Sequence, residues 1–305
     1  MKTHLKIIAV LALACLLIPC QVSAQKKTHK KTAARTVTYP QRDADFIPDY
    51  CMQPVGLFSL YDYNYDYTVL PRPDYKGHVL KRNMSRKQIT LRQVSCRENE
   101  ITDTEEWWER NNLRRDKHTF DKEPTPEIRP RFRIDTNGYS VVNYGPYWVE
   151  ASKVVVADPQ LQHMYRAYDF KDVLMPPGIT TVCGIAGVES VRIEGNIMFA
   201  SHQAYSDYNK GDDSKTGYLS AIDMRTGEIL WTTVPKTCNS DIEIVGNSII
   251  CGYGSSFERD FLYVVDKYSG QRVQKIPLKK AASHVVAKGN KVYVRTYSFD
   301  YVFSF

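Results

Sequence analysis

Residues Tyr218 to Trp231, YLSAIDMRTGEILW, read as a β-hairpin written in one line. Leu219 and Ala221 belong to an alternating run of strand length. Asp223-Met224-Arg225-Thr226-Gly227 is the turn. The Asp223 carboxylate can accept the backbone N–H two residues on, and Gly227 supplies the positive φ such a turn needs. Glu228 to Trp231 starts the return strand. Phe261 to Gly270, FLYVVDKYSG, repeats the pattern, and Met164 to Asp172 repeats it loosely.

A second hairpin recurs beside the first. Gly195-Asn196, Gly246-Asn247 and Gly289-Asn290 each stand between apolar runs, as a tight two-residue turn does. Val149 to Val155 is a weaker fourth copy. Gly246 to Gly289 is 43 residues, Asp223 to Asp266 is 43 and Ala151 to Gly195 is 44. Gly195 to Gly246 is 51 and Asp169 to Asp223 is 54. Only those two longer intervals contain His202 to Gly217, so one insertion accounts for both. A period in the low forties with four strands per unit is the signature of a β-propeller blade. The expected fold is all-β and β-propeller-like. Four blades are visible in the C-terminal half, with N-terminal strands and one helix.

The residues Ala221-x-Asp223-x-x-Thr226-Gly227-x-x-x-Trp231 resemble the tryptophan-docking motif of quinoprotein-like (PQQ-like) propellers. The resemblance implies that Trp231 packs between neighbouring blades. The next copy has Val264, Asp266, Ser269 and Gly270, then Gln274 where the Trp would stand. The resemblance covers about Tyr144 to Phe305. Quinoprotein dehydrogenases are longer and carry an adjacent cysteine pair that this chain lacks. The implied relative is therefore non-enzymatic, such as the propellers that assist outer-membrane assembly.

The composition, 305 residues with 43% hydrophobic and 25% charged, is that of a globular protein with a sizeable core. The formal charge of +7 comes from one end. Lys2, Lys6, Lys26, Lys27, Lys30, Lys31 and Arg35 all precede the first acidic residue, Asp43; from residue 36 on the chain is formally neutral. A basic tail is not a basic folded face, so no nucleic-acid partner is expected. Residues 1–24 read as a signal peptide: two early lysines, the apolar run Ile7 to Cys20, and a small-residue cleavage pattern at Val22-Ser23-Ala24. The run is too short for a membrane span, and none is expected after its removal. The protein is therefore expected to be exported, periplasmic or secreted. Lipid anchoring at Cys20 is disfavoured by Pro19. Five cysteines remain after cleavage: Cys51, Cys96, Cys183, Cys238 and Cys251. Their odd number leaves at least one without an intramolecular partner, and no CxxC pair occurs.

Residues 25–38 form a basic disordered tail, 39–140 an N-terminal β-rich region with one helix, and 141–305 the repeat region. Leu60 to Val69 has a strict period of two, which as a strand puts Tyr61, Tyr63, Tyr65 and Tyr67 on one face. The Asp62-x-Asn64-x-Asp66 spacing on the other face departs from a calcium loop at Tyr67 and Pro73. Thr102 to Lys117 reads as a helix packed outside the propeller, with Thr102 and Glu105 as a capping box. Trp107 and Trp108 anchor it. Phe132 to Tyr144 is a hairpin around Asn137-Gly138. The last blade lacks an outer strand, which Ile89 to Val94 or Leu57 to Tyr61 could supply.

No HExxH, GxSxG or Walker motif occurs. Gly252 to Ser256 reads as a loop. His163, His202 and His284 read as packing or surface residues, and Asp207, Asn209, Asp212 and Asp213 as a solvated acidic loop. No catalytic, cofactor or metal-binding residue is assigned. The expected function is an exported non-catalytic scaffold for a protein or glycan partner in the cell envelope. The alternatives are a propeller hydrolase or lyase acting on glycan or peptide, and a quinone-cofactor oxidoreductase. In a four-stranded meander the first and third connections lie at one end and the long second connections and blade links at the other. The expected binding face is the long-loop end, carrying Tyr205, Asp207, Tyr208, Phe257 and Arg259.

Overall fold

Four two-residue turns set the architecture. In the computed structural model Gly195, Gly246 and Gly289 have φ of 58°, 57° and 60°, while the Asn after each stays at negative φ. That is the type II′ hairpin, which requires a residue free of Cβ strain at its first central position. Asn137 and Gly138 are both at positive φ, 45° and 82°, giving the type I′ turn. The structure describes residues 53–73, 88–120, 127–146, 150–175, 186–204, 216–254 and 258–305. All belong to one unit, Val37–Phe305.

The N-terminal segment contributes β1 (Gly56–Leu57), β2 (Thr68–Val69) and β3 (Arg92–Glu98), then α1 (Thr104–Arg110) and β4 (Lys117–Thr119). The first sheet is the meander β5 (Arg129–Thr136), β6 (Tyr139–Gly145), β8 (Lys153–Ala157) and β9 (His163–Asp169), between β4 on one edge and β1 on the other. β7 (Glu150–Ala151) leaves that path to pair with the second sheet, and a short helix α2 (Lys171–Leu174) follows β9. The second sheet comprises β10 (Ala186–Glu194), β11 (Ile197–Gln203), β12 (Tyr218–Asp223) and β13 (Glu228–Thr232). The third comprises β14 (Ile242–Val245), β15 (Ser248–Tyr253), β16 (Asp260–Asp266) and β17 (Arg272–Leu278). The fourth runs β18 (Ala282–Lys288), β19 (Lys291–Thr296), β20 (Phe299–Ser304) and then β3. The inner strands β5, β10, β14 and β18 touch in that succession. This is the expected all-β propeller-like arrangement of four-stranded antiparallel sheets.

Each seam between sheets holds its own apolar cluster. Ile134, Val141, Val154 and Val156 meet Val191, Ile193, Met198 and Ile222 between the first two sheets. Ile197, Phe199 and Leu219 meet Ile249, Cys251 and Val265 between the second and third. Ile250, Leu262 and Val264 meet Val285, Val292 and Val294 between the third and fourth. Strands β6 and β12 are buried along their whole length because both of their faces are covered, so they carry near-continuous rather than alternating apolar character.

Trp231 locks the second seam. It is 1% exposed, and its indole lies over the Gly270 turn of the third sheet, where a Cβ added to Gly270 would come within 2.6 Å of the ring. The third seam uses a different key. Gln274, at the position equivalent to Trp231, grips the backbone of Leu91 twice: its Oε1 accepts from Leu91 N at 2.9 Å and its Nε2 donates to Leu91 O at 2.8 Å. Ile89 N donates to Ser248 Oγ, and Gln88 reaches Ser248 and Asp266. The Leu91 side chain is buried in the third-to-fourth seam. The N-terminal segment thus fills the slot that a tryptophan fills one blade earlier, and β3 then completes the fourth sheet on β20.

Several local expectations change. The helix is shorter than Thr102 to Lys117. A 3₁₀ turn covers Ile101–Asp103, α1 starts at Thr104, and its end is set by Asn112 at φ 48°. The capping box does not form: Asp103 is the N-cap, makes no cap bond, and is taken by Arg295 instead. Nor does the helix pack outside. Trp107 is 1% exposed and its ring stacks 6.0 Å from His284 of β18, the innermost strand of the fourth sheet. The fourth hairpin copy lies one hairpin earlier than Val149 to Val155. Ala151 and Lys153 flank no tight turn, because β7 pairs with β10 while β8 pairs with β6. In the first sheet Asn137-Gly138 takes the Gly-Asn role, and Asp158 takes the Asp-turn role by accepting from Gln162 N and His163 N. The tyrosine run is not a continuous strand. Asp62 Oδ1 accepts from Asn64 N, which bends the chain, and only Thr68–Val69 pairs as strand. Tyr63, Tyr65 and Tyr67 pack on the outer cluster of the first sheet, while Tyr61 stays 81% exposed.

Candidate binding site

The inner strands and α1 bring together charges that lie far apart in sequence. Lys117 Nζ donates to Asp241 Oδ1 at 2.7 Å and to Glu189 O at 2.8 Å. His284 Nδ1 lies 3.3 Å from the other Asp241 oxygen, and its ring contacts Trp107 and Trp108. Burial works against the Asp241 carboxylate, but Lys117 and His284 outweigh it and hold the acid well below its usual range. Arg192 bridges Asp116 at 2.9 Å and Glu243 at 3.2 Å. One guanidinium thus serves two carboxylates. Burial pushes Glu243 up to about 7 against the pull of Arg192. Arg295, 2% exposed, pairs with Asp103 and with Asp300 at 2.9 Å, and donates to Glu100 O. These pairs tie α1 and β4 to the second, third and fourth sheets. Each member of the network is paired with a group of opposite charge type, and the pairs tie the inner strands together.

At the end of the ring carrying the two-residue hairpins, this network floors a cavity of about 800 Å³. Arg114, Asp116, Asp135, Tyr139, Glu243 and Lys288 line it. Lys288 is committed to the Asn111 and Asn112 carbonyls, and Arg133 to Asp135. Among the described residues no group of three or more His, Cys, Asp or Glu is placed to hold a metal ion.

The opposite end carries the long connections. Of the residues expected to bind there, Tyr205, Asp207, Tyr208 and Phe257 lie outside the described residues. Arg259 is described and exposed, just before β16. The stems of the β11–β12 and β15–β16 connections are held together through the β13–β14 link. Lys236 N donates to Thr216 O at 3.0 Å, and Lys236 Nζ pairs with Glu258 at 3.1 Å. Tyr253 OH donates to Glu258 at 2.8 Å, and its ring covers Gly217, where a Cβ would approach within 2.6 Å. Lys236 itself sits at φ 60°. Thus Lys236 joins the stems at 216 and 258, by a backbone bond to one and an ion pair to the other, and the Tyr253 side chain joins those at 217 and 258.

The histidines follow from their surroundings. His202 is buried on the Tyr218 ring, 5.7 Å between centroids, with Nε2 2.9 Å from Ser220 Oγ, and burial pushes it down to about 3. His163 closes the Asp158 turn at 3.2 Å, and His284 belongs to the inner network. The inner ion clusters escaped the sequence reading. Arg192–Glu243, Lys117–Asp241 and Arg295–Asp103 span 51, 124 and 192 positions, and no local spacing marks them.

No protein-family model matches the chain, and no curated protein matches it. Solved structures similar to it include BamB from Moraxella catarrhalis, at 11% identity and a TM-score of 0.32, covering 57% of this chain and 58% of that one. Quinohemoprotein alcohol dehydrogenase from Comamonas testosteroni is similar at 14% identity and a TM-score of 0.38, covering 59% of this chain and 31% of that one. Quinohemoprotein alcohol dehydrogenase ADHIIG from Pseudomonas putida HK5 is similar at 13% identity and a TM-score of 0.34, covering 58% and 29%. The matched part spans less than two thirds of each of these chains.

Proposed function

We propose that this chain is an exported, non-catalytic binding scaffold that takes a protein or glycan partner of the cell envelope on its long-loop end. Export rests on the leader read in residues 1–24. Among the described residues no helix is long and apolar enough to cross a membrane. The observation that carries the reading is the joined loop stems. Lys236, Glu258 and Tyr253 fasten the 204–217 and 254–260 connections to each other at their bases. Stems rooted together on a rigid scaffold of sheets put the connections they carry at one place, and loops so placed are where binding usually resides. Tyr205, Tyr208, Phe257 and Arg259 are of the residue types that dominate binding energy. The inner ion pairs serve as structural ties.

The test is capture under crosslinking from an envelope extract. Replacing Tyr205, Tyr208, Phe257 and Arg259 together by Ala leaves the melting temperature nearly unchanged and abolishes capture. Survival of capture, or its loss through changes beside Gly246 and Gly270 instead, overturns the choice of face. Robust turnover of a glycan or peptide substrate, abolished by one acid or His substitution, overturns the scaffold reading itself.

A further inference from the structure

Cys238 and Cys251 are both fully buried as close neighbours in the seam between the second and third sheets. Cys238 Sγ also lies 3.1 Å from Ser201 Oγ, and Cys251 Sγ lies 3.5 Å from Thr237 O. The backbones around them are laced together: Asn239 N donates to Gly252 O at 3.0 Å, and Gly252 N donates to Ser240 Oγ at 2.8 Å. Cys251 sits in β15, held on both sides by ladder bonds. Cys238 sits in the irregular link between β13 and β14, so its backbone can adjust without breaking a ladder. The two thiols are also unequal. Burial opposes the Cys238 thiolate, but hydrogen bonds with Cys251, Ser201 and the Ser240 backbone outweigh it and bring this thiol below its ordinary value. Burial and the same contact push Cys251 well above it.

We propose that Cys238 and Cys251 are a redox pair that closes to an intramolecular disulfide by exchange with a small-molecule or protein disulfide. The Cys238 thiolate attacks one sulfur of the incoming disulfide, forming a mixed disulfide and expelling one thiolate, which takes up the proton Cys238 released. Cys251 then gives up its proton and attacks the Cys238 sulfur, expelling the second thiolate, which is protonated in turn. The protein is oxidised by two electrons, and one disulfide is reduced to two thiols. The new bond pins the link between the second and third sheets onto β15, two residues before Tyr253, and so fastens the ring that joins the loop stems. Because both sulfurs are buried, exchange proceeds during folding or through opening of the seam.

The full chain is prepared reduced and treated in two ways. One sample is incubated folded with oxidised glutathione, and the other is refolded from urea in a glutathione redox mixture. Both are quenched in acid, unfolded, alkylated, digested and analysed by mass spectrometry. The expected result in either sample is a linked pair of peptides containing Cys238 and Cys251. The oxidised protein melts on the order of 5 °C higher than the reduced one, and the shift disappears on adding reductant. Cys238→Ser and Cys251→Ser each abolish both the link and the reductant-dependent shift. Should either variant fail to fold, as judged by circular dichroism, Cys251→Val takes its place. Separate alkylation of both thiols under both treatments, or adducts confined to Cys96, overturns the proposal.

Discussion

Gly270→Ala measures how much the Trp231 lock contributes. The substitution acts twice. Gly270 has φ of 71°, where an L-residue costs about 1–2 kcal/mol. The new methyl would stand 2.6 Å from Trp231 Cε3 and 3.0 Å from Cδ2. Those atoms lie in the middle of a fused ring that is itself buried against Phe199, 6.0 Å away between centroids, so the ring cannot swing clear. Overpacking of this kind costs about 1–3 kcal/mol. Together the expected loss is about 2–5 kcal/mol. Gly289→Ala supplies the control. Its φ of 60° also penalises an L-residue, but no atom lies within 4 Å of the added methyl. Urea denaturation followed by far-ultraviolet circular dichroism, at constant m-value, gives both losses. In a Trp231→Ala background the Gly270→Ala loss falls by the overpacking component of about 1–3 kcal/mol, because the clash has lost its partner, while the Gly289→Ala loss is unchanged. A Gly270→Ala loss that stays the same without the indole refutes the docking.

The pH dependence has two opposed components. His202 is held at about 3 against 6.5 unfolded, so its contribution is present above pH 6.5 and falls away as pH drops towards 3, with a slope of up to ~1.4 kcal/mol per unit; His202→Phe flattens that acid limb in urea titrations, Ser220 keeping its bond to Thr232. Glu243 is held at about 7 against 4.5 unfolded, so its contribution is full below 4.5 and is lost as pH rises to 7. Its side chain keeps 17% exposure, so solvent softens the effect; Glu243→Gln removes this decline, and a steeper decline in the variant would contradict the assignment. Leu91→Ala empties the slot that Gln274 guards and costs about 2–5 kcal/mol by thermal or urea unfolding; a loss below 1 kcal/mol would show that the N-terminal segment merely lies on the surface.

The repeat was legible because its turns are local. Gly-Asn and Asp-x-x-Thr/Ser-Gly each satisfy a backbone requirement within a few residues, so they survive as patterns in the sequence. The first sheet was misregistered for the same reason. It reverses the pair to Asn137-Gly138, and its third turn ends on Leu161 at φ 56° where the others use glycine. The Thr102 capping box was locally sound but lost to a stronger partner, since Asp103 gains a buried guanidinium by becoming the N-cap. Lys117 looked helical by neighbourhood and became a strand residue because Asp241, far along the chain, waits for its ammonium group. The joined loop stems were invisible for a related reason. Lys236 to Glu258 and Tyr253 to Gly217 are contacts across blades, and no spacing announces them.

The fourth sheet inverts the order of synthesis. β3 is among the first strands made, yet its partner β20 is more than 200 residues downstream, Arg97 meeting Asp300 across 203 positions. Completion of the fourth sheet is therefore the pairing with the largest loop to gather, and such non-local pairings form late. Until then β3 is an edge without a sheet. Arg92, Arg97 and Glu98 face solvent along it in the finished protein, and the same charges keep the waiting strand from joining a neighbour in the nascent one. The segment that completes the fourth sheet thus carries charges suited to a strand that waits for β20.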